Sequence, residues 1–179
     1  MRIIRIPKER VGALIGKEGK TKKFIEERSK VALYIDSEGE VTIDESTAED
    51  PVMGMKIADI VKAIGRGFSP HRAFRLLDDD EYLETIDIRD YVGKKTNNVV
   101  RMRARIIGSN GKTRRIIEEL TGASISIYGS TVSIIANDLQ LPIARTAIDM
   151  LLRGSEHATV YRYLERCRPQ LRMGEMGFA

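Results

Sequence analysis

The 179-residue chain has no tryptophan, four phenylalanines, five prolines and one cysteine. The lone Cys167 has no partner in the chain, which excludes an intramolecular disulfide. His71, His157 and Cys167 are joined by no spacing that would build a nucleophile–base dyad or a metal set. The acidic run Asp78-Asp79-Asp80 reads as a solvated helix end. No catalytic residue, metal site or cofactor is therefore expected, and the chain does not read as an enzyme. No apolar run approaches the roughly 20 residues needed to cross a bilayer, so no membrane partner is expected. The opening Arg2-Ile3-Ile4-Arg5-Ile6-Pro7 alternates charge with isoleucine and lacks the apolar core of an export signal. It reads as a first strand, and the expected location is cytoplasmic. Hydrophobic residues at 42% and charged residues at 31% suffice for a core.

The net charge of +4 is unevenly spread. Residues 1–68 carry 13 basic and 12 acidic side chains, residues 69–92 carry 3 and 7, and residues 93–179 carry 14 and 7. Between Gly93 and Arg115 stand Lys94, Lys95, Arg101, Arg103, Arg105, Lys112, Arg114 and Arg115, with no acid among them. A one-signed field of this kind attracts polyanions and speeds their encounter.

A repeat organises the chain. Ile15-Gly16-Lys17-Glu18-Gly19-Lys20-Thr21-Lys22-Lys23-Phe24-Ile25-Glu26-Glu27 returns as Ile107-Gly108-Ser109-Asn110-Gly111-Lys112-Thr113-Arg114-Arg115-Ile116-Ile117-Glu118-Glu119, offset by 92. Each copy follows an alternating stretch, Ile3–Ile6 and Tyr82–Ile88. Each precedes two more strands: Val31–Ile35 and Val41–Ile43 around an acidic turn, then Ser124–Tyr128 and Thr131–Ile135 around Gly129-Ser130. Each closes with a helix. The first starts near Pro51 with Val52, Ile57, Ile60, Val61 and Ile64 on one face. The second starts near Pro142 with Ile143, Ala147, Ile148, Leu151 and Leu152. The unit is β-α-α-β-β-α, an α+β fold in which helices cover one face of a three-stranded antiparallel sheet, twice over. The predicted domains are 1–68 and 82–154. A helical linker over 69–81 packs through Ala73, Phe74 and Leu77. A final helix over 155–168 is followed by a tail, disordered from Met173 to Ala179.

The two Gly-x-x-Gly turns carry the chemistry. Glycine lets another backbone approach closely and tolerates conformations that other residues resist. The helix that starts at the turn offers N–H groups and a positive dipole end, a site for phosphate. Lys20 and Lys112 add formal charge there, with Lys22-Lys23 and Arg114-Arg115 in the next turn. Gly-Lys-Thr also occurs in phosphate-binding loops of nucleotide hydrolases, but those need an earlier glycine, and Leu14 and Ile106 occupy that position. That route is excluded.

Gly16-Lys17-Glu18-Gly19 and Gly108-Ser109-Asn110-Gly111, in this element order, resemble the loops of tandem type I KH domains. The resemblance implies that each glycine loop clamps the backbone of about four nucleotides of single-stranded RNA. By position, Val11, Gly12, Leu33 and Ile35 would line the first groove, and Ala104, Arg105, Ile125 and Ile127 the second. Scarce aromatics fit an aliphatic groove and argue against an RRM, which stacks bases on aromatic rings. Arg105 to Thr113, Leu151-Leu152-Arg153-Gly154-Ser155, Tyr161 and the linker Gly65-Arg66-Gly67-Phe68 further resemble the partner-of-Nob family. That resemblance implies a ribonucleoprotein role in ribosome biogenesis and rRNA processing, at the 3′ region of small-subunit rRNA beside a maturation endonuclease. Its eukaryotic members usually have a degenerate first loop; the intact Gly16 and Gly19 favour an archaeal member.

The domains are expected to be unequal. Gly108, Ser109, Asn110, Gly111, Lys112, Arg101, Arg105, Arg114 and Arg115, with Ile125 and Ile127, form the main RNA site. The counterpart is Gly16, Lys17, Glu18, Gly19, Lys20 and Lys23. Glu18 places negative charge inside that first loop, and Asp36, Glu38, Glu40, Asp44, Glu45, Glu49 and Asp50 follow. The first domain is expected to bind RNA weakly or to meet a basic protein. The alternative for the whole chain is a KH-fold protein–protein adaptor.

Overall fold

The computed structural model describes residues 1–177, which form two compact units, residues 1–79 and residues from 80 onward. The first unit runs β1 (Arg2–Arg5), α1 (Val11–Ile15), α2 (Lys20–Ser29), β2 (Ala32–Ile35), β3 (Glu40–Asp44), α3 (Met53–Gly65) and α4 (Pro70–Ala73). Its antiparallel sheet has the order β1-β3-β2. Alternation sends Val41, Ile43 and Leu33 to the helical face, where Ile57, Ile60, Val61 and Ile64 of α3 are fully buried. Val52, expected on that face, precedes the helix and is exposed.

The linker packs on this first unit. Ser69 caps α4 by accepting from the Arg72 N–H, and Pro70 fills the first helical position. The next turn, Phe74–Leu77, tightens to 3-10 geometry. A three-residue period carries the buried position from Ala73 to Leu76, so Leu76 takes the place expected of Leu77. The Phe74 ring lies 4.6 Å from that of Phe24. Lys56 donates to the Leu77 carbonyl at 3.0 Å and pairs with Asp79, holding that carboxyl below the usual carboxylate range.

The second unit repeats the plan as β4 (Glu81–Asp87), α5 (Arg89–Val92), α6 (Thr96–Ile107), α7 (Lys112–Thr121), β5 (Ser124–Tyr128), β6 (Thr131–Asn137), α8 (Gln140–Leu152) and α9 (His157–Glu175). The sheet order is β4-β6-β5, again antiparallel. The expected α+β class and the β-α-α-β-β-α order are both present, with the short α5 added. Only Gly129 and Ser130 join β5 to β6, with Gly129 at φ 57°. The core gathers Val132 and Ile134 of β6 with Ile106, Ile117, Ile148 and Leu151.

The last helix departs from expectation. It passes through the exposed Pro169 and reaches Glu175, so residues 173–175 of the expected disordered tail are helical. Phe178 and Ala179 lie outside the described residues. The helix outlasts its proline because Leu171, 5% exposed, anchors the following turn, as Val160 and Leu164 anchor the preceding ones. Among the described residues no helix is long and apolar enough to cross a membrane. Because Leu164 is fully buried in the second core, Leu164→Ala is expected to cost about 2–5 kcal/mol in urea unfolding. A loss below about 1 kcal/mol would show that α9 is not part of that core.

Candidate nucleic-acid interface

The two loops share one geometry. Gly16 has φ 78°, Glu18 φ 56° and Gly19 φ 73°; Gly108, Asn110 and Gly111 have 75°, 54° and 75°. The glycines differ in what they do. A Cβ on Gly108 would come within 2.7 Å of the Thr113 backbone nitrogen, and one on Gly16 within 2.8 Å of that of Thr21. The first glycine is thus seated on the threonine of the following helix. The second is open: a Cβ on Gly19 would meet nothing within 4 Å, and one on Gly111 only Arg114 Nη2 at 3.9 Å. Close approach of another backbone is possible at the second glycine, while the first fixes the loop's path. The N–H of Gly111 donates to the Gly108 carbonyl and that of Lys112 to the Ser109 carbonyl, so part of the helix start is engaged within the loop. Between the glycines, asparagine tolerates the left-handed region better than glutamate does.

Two further pairs repeat at the same offset, and sequence reasoning left their role unread. Glu26 Oε2 accepts the Leu33 N–H at 3.0 Å, and Glu118 Oε2 the Ile125 N–H at 2.9 Å. Each carboxylate ties the helix that follows the glycine loop to the neighbouring strand. Ser29 and Thr121 each donate to a carbonyl one turn back and accept the N–H two residues on, closing the helix end. The repeat already contained both signals: Glu26 and Glu118 stand in its acidic pair, and Ser29 and Thr121 three residues beyond.

Charge is distributed unequally around the second loop. Arg114 pairs with Glu118 at 2.8 Å. Arg115 turns back to the loop, donating to the Asn110 carbonyl at 3.0 Å. Arg105 donates to the Ser155 carbonyl, and its Nε–H is buried without an acceptor, as is that of Arg103. Arg101 and Lys112 are exposed and have no carboxylate partner among the described residues. In the first loop Lys17, Lys20 and Lys23 are exposed, but so is Glu18 between them. Several acids of the first unit are engaged locally: Arg2–Glu45, Arg5–Glu40 and Lys8–Glu38 are ion pairs, and Asp36 caps its turn. Exposed pairs of this kind contribute about 0–1 kcal/mol each; their consequence here is a less negative surface.

The groove residues need one correction. Ile125 is 1% exposed and Leu33 likewise, so both belong to the cores and cannot present a side chain to a ligand. Ile127 and Ile35, two residues on, are half-buried, and Gly12 and Ala104 are exposed. A second opening lies beside the loop. Arg101, Ala104, Arg105, Gly108, Ser109 and Lys112 border a pocket of about 540 Å³ whose remaining wall includes Thr113 and, from α9, His157 and Tyr161. Among the described residues no group of three or more His, Cys, Asp or Glu side chains could hold a metal ion.

Residues 1–52 match the KH domain family, and residues 82–169 match the eukaryotic type KH-domain (KH-domain type I) family built on the second domain of PNO1. The chain superimposes with a TM-score of 0.88 on a chain of the Pyrococcus horikoshii a/eIF2alpha–aDim2p–rRNA complex, at 55% identity over 95% of this chain and 94% of that one. It belongs to the PNO1/Dim2 family of tandem KH proteins. It is 48% identical to a KH domain-containing protein of Methanocaldococcus jannaschii, over 95% of this chain and 75% of the relative. It is 33% identical to the pre-rRNA-processing protein PNO1 of Eremothecium gossypii, over 69% of this chain and 46% of that protein. The chain thus spans about half the length of this fungal PNO1. The PNO1-type match extends past α8 into α9, so the last helix is part of what is shared.

The two glycines of the second loop are expected to respond differently to alanine. Gly111→Ala meets only the backbone cost of φ 75°, about 1–2 kcal/mol. Gly108→Ala adds overpacking against Thr113, for a total of about 2–5 kcal/mol. Urea unfolding followed by circular dichroism measures both; equal losses would mean that the seat of Gly108 is not tight.

Proposed function

We propose that this protein binds single-stranded RNA, chiefly through its second KH domain, and acts in the maturation of small-subunit rRNA. The observation that carries the reading is the second loop. An open left-handed glycine, Gly111, immediately precedes Lys112, which borders one pocket with Arg101; both cations are exposed with no carboxylate partner among the described residues. A sugar-phosphate chain needs that combination of close backbone approach and unneutralised charge. Family membership supports the target. An rRNA complex contains the Pyrococcus relative, and the Eremothecium relative is a pre-rRNA-processing protein. Within small-subunit rRNA, the 3′ region is the segment we favour, and the cytoplasm the place of action.

The site is Gly108 to Lys112, with Arg101 as a phosphate contact and Arg105, Arg114 and Arg115 shaping the loop and its surroundings. Ile127 and Ala104 offer apolar surface to bases. The first loop, with Glu18 exposed between Gly16 and Gly19, is the weaker site despite Lys17, Lys20 and Lys23. The first domain is also where a maturation endonuclease or another basic protein would dock.

Placing acid at the phosphate position tests the assignment. Ser109→Asp with Asn110→Asp is expected to remove most binding of a fluorescent rRNA 3′-end oligonucleotide, while Lys17→Asp has a smaller effect. Equal losses would sink the inequality of the domains. If the second domain neutralises about four phosphates, log K falls against log salt with a slope of roughly −3, using about −0.7 per phosphate for single strands. A slope near zero in anisotropy titrations favours the adaptor alternative. In cells, crosslinking that recovers no small-subunit rRNA would contradict the proposed target.

A further inference from the structure

A type I KH unit is complete with three helices, and α9 lies outside it. Its buried positions, Val160, Leu164 and Leu171, fasten it to the second core. Its first turns do something else. His157 Nε2 lies 2.9 Å from the Arg105 carbonyl, one of the last carbonyls of α6. A carbonyl only accepts, so this ring nitrogen carries the proton. Tyr161 OH is 3.1 Å from Thr113 Oγ1, the threonine on which Gly108 is seated. The start of α9 is therefore held against both sides of the glycine loop, and with it encloses the pocket of about 540 Å³ described above.

The charges point to the same side. On the helix face that carries Glu118, Arg114 is neutralised. Arg101 and Lys112, exposed and with no carboxylate partner among the described residues, both border the α9 pocket. Arg105, on the same border, has a guanidinium whose hydrogen bonding is incomplete. Tyr161 and His157 add two half-buried rings, with centroids 6.2 Å apart, to a domain whose groove is otherwise aliphatic. Unneutralised cations beside aromatic rings are the means by which single strands are held without sequence readout.

We infer that the pocket between the second glycine loop and α9 is an additional RNA subsite. It receives the ribonucleotide adjoining those clamped by Gly108–Gly111, with its phosphate between Arg101 and Lys112 and its base or ribose against Tyr161. This rests on RNA binding by the second domain and extends the bound strand beyond the KH groove. Recognition here is of a nucleotide's general chemistry, so the subsite adds affinity and length dependence without demanding one base.

The test uses the full chain and a fluorescent 12-nucleotide RNA of random sequence, with 4-thiouridine in place of uridine for crosslinking. Tyr161→Phe keeps the ring and is expected to bind within twofold of the unmodified protein. Tyr161→Leu removes the ring and is expected to weaken binding about five- to a hundredfold, the range for loss of one stacked base. Arg101→Glu, at an exposed position without a partner, is expected to weaken binding at least tenfold with an unchanged melting temperature. Crosslinks should fall on the tryptic peptide spanning residues 154–162. Binding by Tyr161→Leu within twofold of the unmodified protein, or crosslinks confined to α6, α7 and β5, would overturn the subsite. If Tyr161→Leu does not fold, the crosslink map decides, since only the α9 peptide is specific to the subsite. Ser109→Asp with Asn110→Asp separates the two levels. If that double variant binds normally, RNA binding by the second loop fails; if it abolishes binding while Tyr161→Leu binds normally and no crosslink reaches residues 154–162, only the subsite fails.

Discussion

The contact between a glycine and the backbone of the threonine five residues later sets the geometry on which everything else in each unit depends. Gly108 has no room for a side chain above Thr113, and Gly16 none above Thr21. Once that contact forms, the chain between the helices has one path, through a left-handed residue and a left-handed glycine, and the next helix starts where that path ends. The cations at its first turn then project beside the loop, and the second glycine is left uncovered. Replacing the threonine contact by a looser one would leave the composition of the site unchanged and its geometry undefined.

The surroundings of that shared geometry distinguish the domains. Asn110 accepts its conformation readily and carries no charge; Glu18 is strained there and carries the wrong sign for phosphate. Local ion pairs in the first unit bring Arg2 and Arg5 of β1, and Lys8 just beyond it, onto the acids of the first hairpin and its exit, so neither is wholly available to a partner. In the second unit the balance favours the basic side. A duplicated scaffold has thus become two surfaces with different electrostatics around nearly identical glycine loops.

Much of this was legible in the sequence because it is periodic. The offset of 92 placed both loops, and alternation placed all six strands to within two residues. The positions of Ile125 and Ile127 show the limit. Period-two patterning says that they share a face, but how deep each sits depends on helices packed from elsewhere in the chain, and the first is sealed while the second is not. The passage of α9 through Pro169 was hidden for a similar reason. Proline argues locally for a stop, and the buried Leu171 that overrides it acts only after folding. His157, isolated in the sequence, gained a partner in Arg105 through a contact spanning 52 residues that no local pattern announces.

The hairpin of the second unit is closed by Gly129 and Ser130 alone. A connection so short cannot fold over anything lying beside β5. For the RNA reading proposed above, this means that a long strand is laid against β5 sideways, with neither end having to pass through a ring, so an internal segment is as accessible to the site as a free end.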